Sequence, residues 1–358
     1  MLDVATGALG VFLIVLTFWD LFETVVVPRP TPGYFRIGRY LVRGLWRVVR
    51  AFRNGTDGRP HDRLLGLFAP GATVLLLVAW LTALMFGYGL VLYALRTQLE
   101  PVPTSIGSAV YFAATTILTI GFGDIVAVDT LARAVLVTSA VAGLGTVALV
   151  VTFLFSLYAS YQRREVEVVA LQAAAGAPPS AVALLETYAN LHLIHRLPDL
   201  FLDWERWAVE VLDSHVAYPL LGYFRSSHDN LSWISALGTV LDAASLVLTT
   251  IQEVPRGEAK LVKRVGTHLV EDISNLGFGT VGSGGGLARE DFEAACDRLE
   301  DAGYCLAPRD EAWPAFEMAR STYADRLEGM AAYWATPANQ WLGDPVELRQ
   351  PLHDAGEP

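Results

Sequence analysis

The sequence predicts an all-α membrane protein, with three transmembrane helices, a short re-entrant helix between the second and third, and a mainly helical cytosolic half. Three observations lead to that expectation. The 358 residues are 53% hydrophobic and only 18% charged, whereas about a quarter of a soluble protein is charged. Apolar runs at residues 4–27, 69–95 and 131–160 each reach the roughly 20 residues needed to cross a bilayer. Charge is also segregated: residues 28–68 hold nine arginines against Asp57 and Asp62, while residues 161–358 hold 15 Lys or Arg against 29 Asp or Glu.

The first run, within residues 1–27, follows Met1-Leu2-Asp3, which lacks the basic leader of a secretory signal; no small-residue cleavage site precedes the prolines at 28–32. It is therefore expected to remain as a span. The arginines of residues 28–68 belong on the cytoplasmic side by the positive-inside rule, which places the N-terminus outside and sends the 69–95 span outward. The 131–160 span then returns, and Arg163 and Arg164 mark its inner end. Within the basic segment Arg36, Arg39, Arg43, Arg47, Arg50 and Arg53 recur every three or four residues opposite Ile37, Leu41, Leu45, Val48 and Phe52. That spacing predicts a helix lying at the inner membrane surface, with Arg36, Arg39, Arg43, Arg47 and Arg50 toward anionic lipid headgroups. A voltage-sensing span would cost about 2.5–3.5 kcal/mol per arginine unless each is paired. Only Asp20 and Glu23 could serve as countercharges, and these are expected to meet Arg29, Arg36 or the headgroup region.

Between the second and third runs, Thr104–Thr116 can form a short re-entrant helix begun by Pro103 and Thr104, with its partially negative C-terminal end facing the membrane interior. Irregular backbone follows at membrane depth, which is tolerated only where it is buried or lines water. Its sequence is Thr119-Ile120-Gly121-Phe122-Gly123-Asp124. A dehydrated cation needs a ring of backbone carbonyls in place of its water shell, and glycine at alternate positions permits the backbone that such a ring requires. The carbonyls of Thr119, Ile120, Gly121 and Phe122 would supply stacked ion sites. Asp124 would stand at the outer mouth, and four chains would be needed to close each ring.

The stretch Thr115-Thr116-Ile117-Leu118-Thr119-Ile120-Gly121-Phe122-Gly123-Asp124 resembles the signature of the pore-loop potassium channel family. The resemblance covers about residues 69–160. It implies an outer helix at 69–95, a pore helix at 104–116, a selectivity filter at 119–124 that coordinates K+ through Thr119 to Gly123, and an inner helix at 131–160. It further implies a homotetramer, support behind the filter from Thr115 and Thr116, a gating hinge at Gly143 or Gly145, and a cavity and inner gate lined by Thr152 and Ser156. The sequence departs from the commonest form at Ile120, at Leu118, at Phe122, which lacks a tyrosine hydroxyl, and at Thr115, where many members carry a buried acid.

Residues 161–336 read as a cytosolic helical domain and 337–358 as a loosely ordered tail. Breaks are expected at 175–180, 255–257 and 277–286. The run from Leu231 to Ile251 is apolar enough to suggest a fourth span, yet it carries Ser232, Ser235, Thr239, Asp242, Ser245 and Thr249 on one stripe, which predicts a soluble amphipathic helix capped by Asp229 or Asn230. The glycines at 280–284 imitate a filter, but a charged helix follows them and no further span does. His192 and His195, near Asp199 and Asp203, could share a helix face, yet they lack the partners of a metal site. Cys296 and Cys305 offer neither a disulfide framework nor a zinc set. An acidic half excludes nucleic-acid binding, and no nucleophile, base and orienting group stand at a recognisable spacing, so no enzyme and no cofactor beyond K+ are expected. The leading expectation is a potassium channel subunit gated through its cytosolic domain, acting through Tyr158 to Glu167, with membrane lipids and further copies of the chain as partners. The alternative is a membrane-anchored signalling or binding protein.

Overall fold

The computed structural model describes residues 2–27, 37–53, 60–226, 231–278, 287–336 and 341–343. The chain divides into two compact units, residues 1–159 and 160–358, and both are helical. Twelve α-helices are present among the described residues, with one short antiparallel strand pair.

In the first unit, α1 (Leu2–Leu21) ends in a wider π-turn at Phe22–Val26. It is followed by α2 (Ile37–Arg53), α3 (Pro60–Ala94), β1 (Leu99–Glu100), α4 (Ile106–Ile117), β2 (Val126–Ala127) and α5 (Thr130–Ala175). Among the described residues three stretches are long and apolar enough to cross a membrane: Leu2–Val26, Leu65–Ala94 and Thr130–Ala175. The chain is a membrane protein. α1 and α3 run antiparallel, and the Asp3 carboxylate pairs with Arg96 just beyond the far end of α3. Between them the backbones nearly touch, since a Cβ on Gly10 would come 2.5 Å from the Gly87 carbonyl oxygen. Apolar side chains gain little by leaving lipid, so small residues that allow this approach supply the packing.

At the other end of α1, Asp20 is buried, accepting from the Gly38 backbone amide at 3.2 Å and from Trp80 Nε1 at 2.8 Å. This corrects the expected pairing of Asp20: its partners are the first turn of α2 and an indole on α3. Arg29 and Arg36 lie outside the described residues. α2 buries Gly38, Val42 and Trp46, with Trp46 edge-on to Phe68 at 4.8 Å, and leaves Val48 exposed. The buried arc is offset from the centre of the apolar stripe because Trp46, the largest apolar side chain on the helix, sets which side meets α3. Arg39, Arg47 and Arg50 are exposed and Arg43 half-buried.

The second unit holds the end of α5, then α6 (Ala181–Asn190), α7 (Leu197–Ala217), a tight turn at Pro219–Tyr223, α8 (Trp233–Thr249), α9 (Gly257–Asn275), α10 (Arg289–Asp301), α11 (Arg309–Ser321) and α12 (Ala324–Trp334). α8 is the core, with every residue from Trp233 to Val247 buried. A helix apolar all round belongs inside. The polar stripe of this amphipathic helix does not meet solvent: Ser232, Ser235, Thr239, Asp242 and Ser245 are buried, and buried polar groups call for internal partners. Thr239 donates to the Pro179 carbonyl at 3.0 Å, and Asp242 accepts from Tyr323 at 2.6 Å and from Arg320 at 3.3 Å. Ser232 caps α8, its hydroxyl accepting from Ile234 N at 3.1 Å; Asp229 and Asn230 lie outside the described residues.

Part of the expected tail is core. The carbonyls of Trp341 and Leu342 accept from the Ala181 and Val182 amides at 2.7 and 3.0 Å. The Trp341 ring lies so close to Gly238 that a Cβ there would come within 2.4 Å of it. Two large apolar side chains pull this short segment in by burial. Arg164 is buried in the second unit, bonded to the Leu221 and Phe224 carbonyls at 3.1 and 2.7 Å, while Arg163 stays exposed.

Candidate ion pathway

The site is built on α4. Ser105, rather than Pro103 or Thr104, caps it, with its hydroxyl accepting from Ser108 N at 3.2 Å while its backbone is extended. The helix is held on two sides by glycine contacts. A Cβ on Gly89 of α3 would come 2.7 Å from the Val110 Cα, and one on Gly143 of α5 would come 2.3 Å from the Ile117 carbonyl oxygen. Leu84, Tyr88 and Leu92 of α3, Phe112, Ala113 and Ile117 of α4, and Ala132 and Ala142 of α5 close the core around it. β1 and β2 tie the segments that enter and leave the loop, Leu99 opposite Ala127 and Glu100 opposite Val126.

After Ile117 the backbone alternates. Thr119, Gly121 and Gly123 have φ of 58°, 60° and 78°, and Ile120 and Phe122 between them do not share that left-handed conformation. A strand with φ of one sign throws successive carbonyls to opposite sides. Alternating hands turn successive peptide planes the same way and gather their oxygens on one side. Glycine takes positive φ without penalty, whereas threonine seldom does. Thr119 is held there by its amide on the Thr116 carbonyl at 3.0 Å and by the next two amides, Ile120 N at 2.7 Å and Gly121 N at 3.2 Å, on the Thr115 carbonyl. The loop is thereby fastened to the last turn of α4, whose dipole leaves partial negative charge at that end.

Thr115 and Thr116 lie in the last turn of α4. Both hydroxyls turn back to the Phe112 carbonyl at 2.9 Å, so Thr115 supports the loop through its backbone oxygen. Tyr111 was missed. Its ring lies nearly parallel to Phe122, centroids 6.5 Å apart and planes 9° from parallel. What the sequence carries is its place one helical turn before Thr115, on the same face. Within one chain Ile120 is 50% and Phe122 67% exposed.

Below the loop, Gly143 is buried against Ile117, while a Cβ on Gly145 would meet nothing within 4 Å. The Thr152 and Ser156 hydroxyls donate to the Ala148 and Thr152 carbonyls at 2.9 and 3.2 Å, satisfied within the helix. Elsewhere, His192 and His195 sit in the turn between α6 and α7 and not on one helix face, with Asp199 paired to Arg196 and Asp203 to Arg206. Among the described residues no three His, Cys, Asp or Glu side chains form a metal-binding group. Cys296 is buried, its thiol pushed up to about 11 by burial, and Cys305 is exposed. The glycine run at 280–284 lies outside the described residues.

Residues 75–160 match the family model described as an ion channel. The matched segment contains most of α3, all of α4, the 119–124 loop and α5 as far as Ser160, so the chain carries an ion channel module. Comparison with curated proteins and with solved structures gives no match.

Proposed function

We propose that this chain is one subunit of a homotetrameric, potassium-selective channel that conducts passively across the cell membrane. The alternating backbone from Thr119 to Gly123 carries the reading. Gathered carbonyls at successive levels are what a dehydrated K+ requires, and one chain supplies one wall of each ring. Four copies around an axis complete it. Apolar side chains left open on a single chain, Ile120, Phe122, Val137, Val141 and Leu144, then meet neighbouring copies or lipid. Asp124 stands at the outer mouth, and Thr152 and Ser156 line the cavity toward the inner gate.

In the topology that goes with this reading, the N-terminus is outside, the second unit is cytosolic, and α2 lies at the inner leaflet with Arg36, Arg39, Arg43, Arg47 and Arg50 toward headgroups. The cytosolic unit gates the pore through α5, which runs unbroken from Thr130 to Ala175, with Gly143 or Gly145 as the bending point. A chain ending at residue 169 is expected to show an altered open probability, and an unchanged one removes the gating claim. For the filter itself, Gly121→Ala and Gly123→Ala each put a Cβ on backbone at positive φ. Loss of K+ flux in liposomes from an intact oligomer supports the proposal; flux equal to the parent chain refutes it.

A further inference from the structure

His215 lies on α7 with both ring nitrogens engaged: Nε2 is 3.1 Å from Arg164 Nη1, and Nδ1 is 2.9 Å from the Val211 carbonyl oxygen. A guanidinium only donates and a carbonyl only accepts. Nε2 must therefore accept, and Nδ1 must carry the proton. The contact exists only with a neutral imidazole, because a second proton can be placed only on Nε2, where it would face the Arg164 N–H.

Arg164 is the centre of a closed cluster. Its guanidinium also donates to the Leu221 carbonyl at 3.1 Å, the Phe224 carbonyl at 2.7 Å and Glu165 Oε1 at 2.9 Å, and its own carbonyl accepts from Trp207 Nε1 at 3.0 Å. The charged groups in the cluster, Arg164 and Glu165, both come from α5. α7 adds the Ser214 hydroxyl 3.3 Å from Nδ1, α8 adds the Trp233 ring 5.1 Å from the imidazole, and the 219–224 turn contributes only carbonyls. Among the described residues, Glu165 Oε1 is held by the guanidinium and its buried Oε2 has no partner, and the polar partners of the imidazole are Arg164, Val211 and Ser214, with no carboxylate bonded to it.

We propose that His215 is a proton-operated latch on α5: neutral, it accepts from Arg164 and keeps residues 160–175 fastened to α7 and the 219–224 turn; protonated, it opposes Arg164 and releases them. That α5 lines a pore rests on the reading above; the latch itself does not. Burial first, and then the Arg164 charge, hold His215 well below the ordinary histidine value of 6.5. The latched state thus binds fewer protons than the released state. Its stability is full above about pH 6.5 and falls as pH drops below it, approaching about tenfold per pH unit in the release equilibrium.

The test is hydrogen–deuterium exchange on the full-length protein in detergent at pH 7.5, 6.5 and 5.5, corrected for the intrinsic pH dependence of exchange, which reads the opening equilibrium even when the open population is small. Segments covering 160–170 and 218–226 are expected to lose protection by about fivefold between pH 6.5 and 5.5, while α10 and α11 do not. In His215→Gln, whose amide oxygen can still accept from Arg164, the loss disappears. A flat wild type, or an equal loss in His215→Gln, overturns the latch. Ring 15N shifts of His215 in the unsubstituted protein give a second arm: the Nδ1–H form at pH 7.5 supports the assignment and the Nε2–H form refutes it. Neither arm involves ion flux, so the latch stands or falls separately from potassium selectivity.

Discussion

Replacing Gly143 by alanine tests whether α5 and the last turn of α4 are locked together behind the loop. A Cβ there would stand 2.3 Å from the Ile117 carbonyl oxygen and 2.9 Å from Ile117 Cγ2, where ordinary contact begins at 3.4 Å. The helices must therefore part by about 1 Å, and the displaced turn is the one whose Thr115 carbonyl holds the Ile120 and Gly121 amides. Overpacking of this kind costs about 1–3 kcal/mol, and the better helix propensity of alanine offsets at most about 1 kcal/mol. At Gly145 only the propensity gain remains, since the added carbon meets nothing within 4 Å. Thermal melting of the purified variants in one detergent, together with K+ flux in liposomes, separates the two. Gly143→Ala is expected to melt lower and conduct less, and Gly145→Ala to melt at or above the parent. A Gly143→Ala protein as stable as the parent, or a Gly145→Ala protein less stable than Gly143→Ala, would refute the packing role.

Other consequences can be measured separately. Asp20→Ala strands the Gly38 amide and the Trp80 indole N–H, a cost of about 1–3 kcal/mol for each buried donor, and should lower the melting temperature more than Asp20→Asn, which keeps an acceptor oxygen. Tyr323→Phe removes the 2.6 Å donor to buried Asp242, and denaturation followed by tryptophan fluorescence should show a loss of about 1–3 kcal/mol. Burial raises Asp242 above the ordinary carboxylate range despite Arg320 and Tyr323. Its contribution is therefore full below the unfolded value near 3.8 and is lost as pH rises through its native value, so Asp242→Asn should flatten stability against pH in that window. A maleimide should modify Cys305 and spare Cys296 in the native protein, one thiol being exposed and the other buried with its pKa pushed up to about 11; modification of Cys296 at a comparable rate would contradict its burial.

What could be read from the sequence depended on whether a signal was local. The three spans and the glycine alternation at 119–124 were visible because bilayer thickness fixes the length of one and backbone sterics the composition of the other. α8 was misread because a stripe of Ser, Thr and Asp looks alike whether it meets water or buried partners, and its partners Pro179, Arg320 and Tyr323 are dozens of residues away. The acceptors of Arg164 at 221 and 224 were hidden for the same reason, being distant in sequence. Trp341 and Leu342 were lost among the prolines and charges around them. Tyr111 stands at a regular helical spacing from Thr115, but its stacking on Phe122 depends on the course of the loop, which no local signal encodes.

The central claim is that residues 119–124 of four copies form a potassium-selective path. The measurement that meets it most directly is the reversal potential of the purified full-length protein in planar bilayers, with K+ on one side and Na+ on the other. The account predicts a potential close to the K+ equilibrium value, lost with the current in Gly121→Ala. A reversal potential near zero, with Na+ passing as readily as K+, would contradict it.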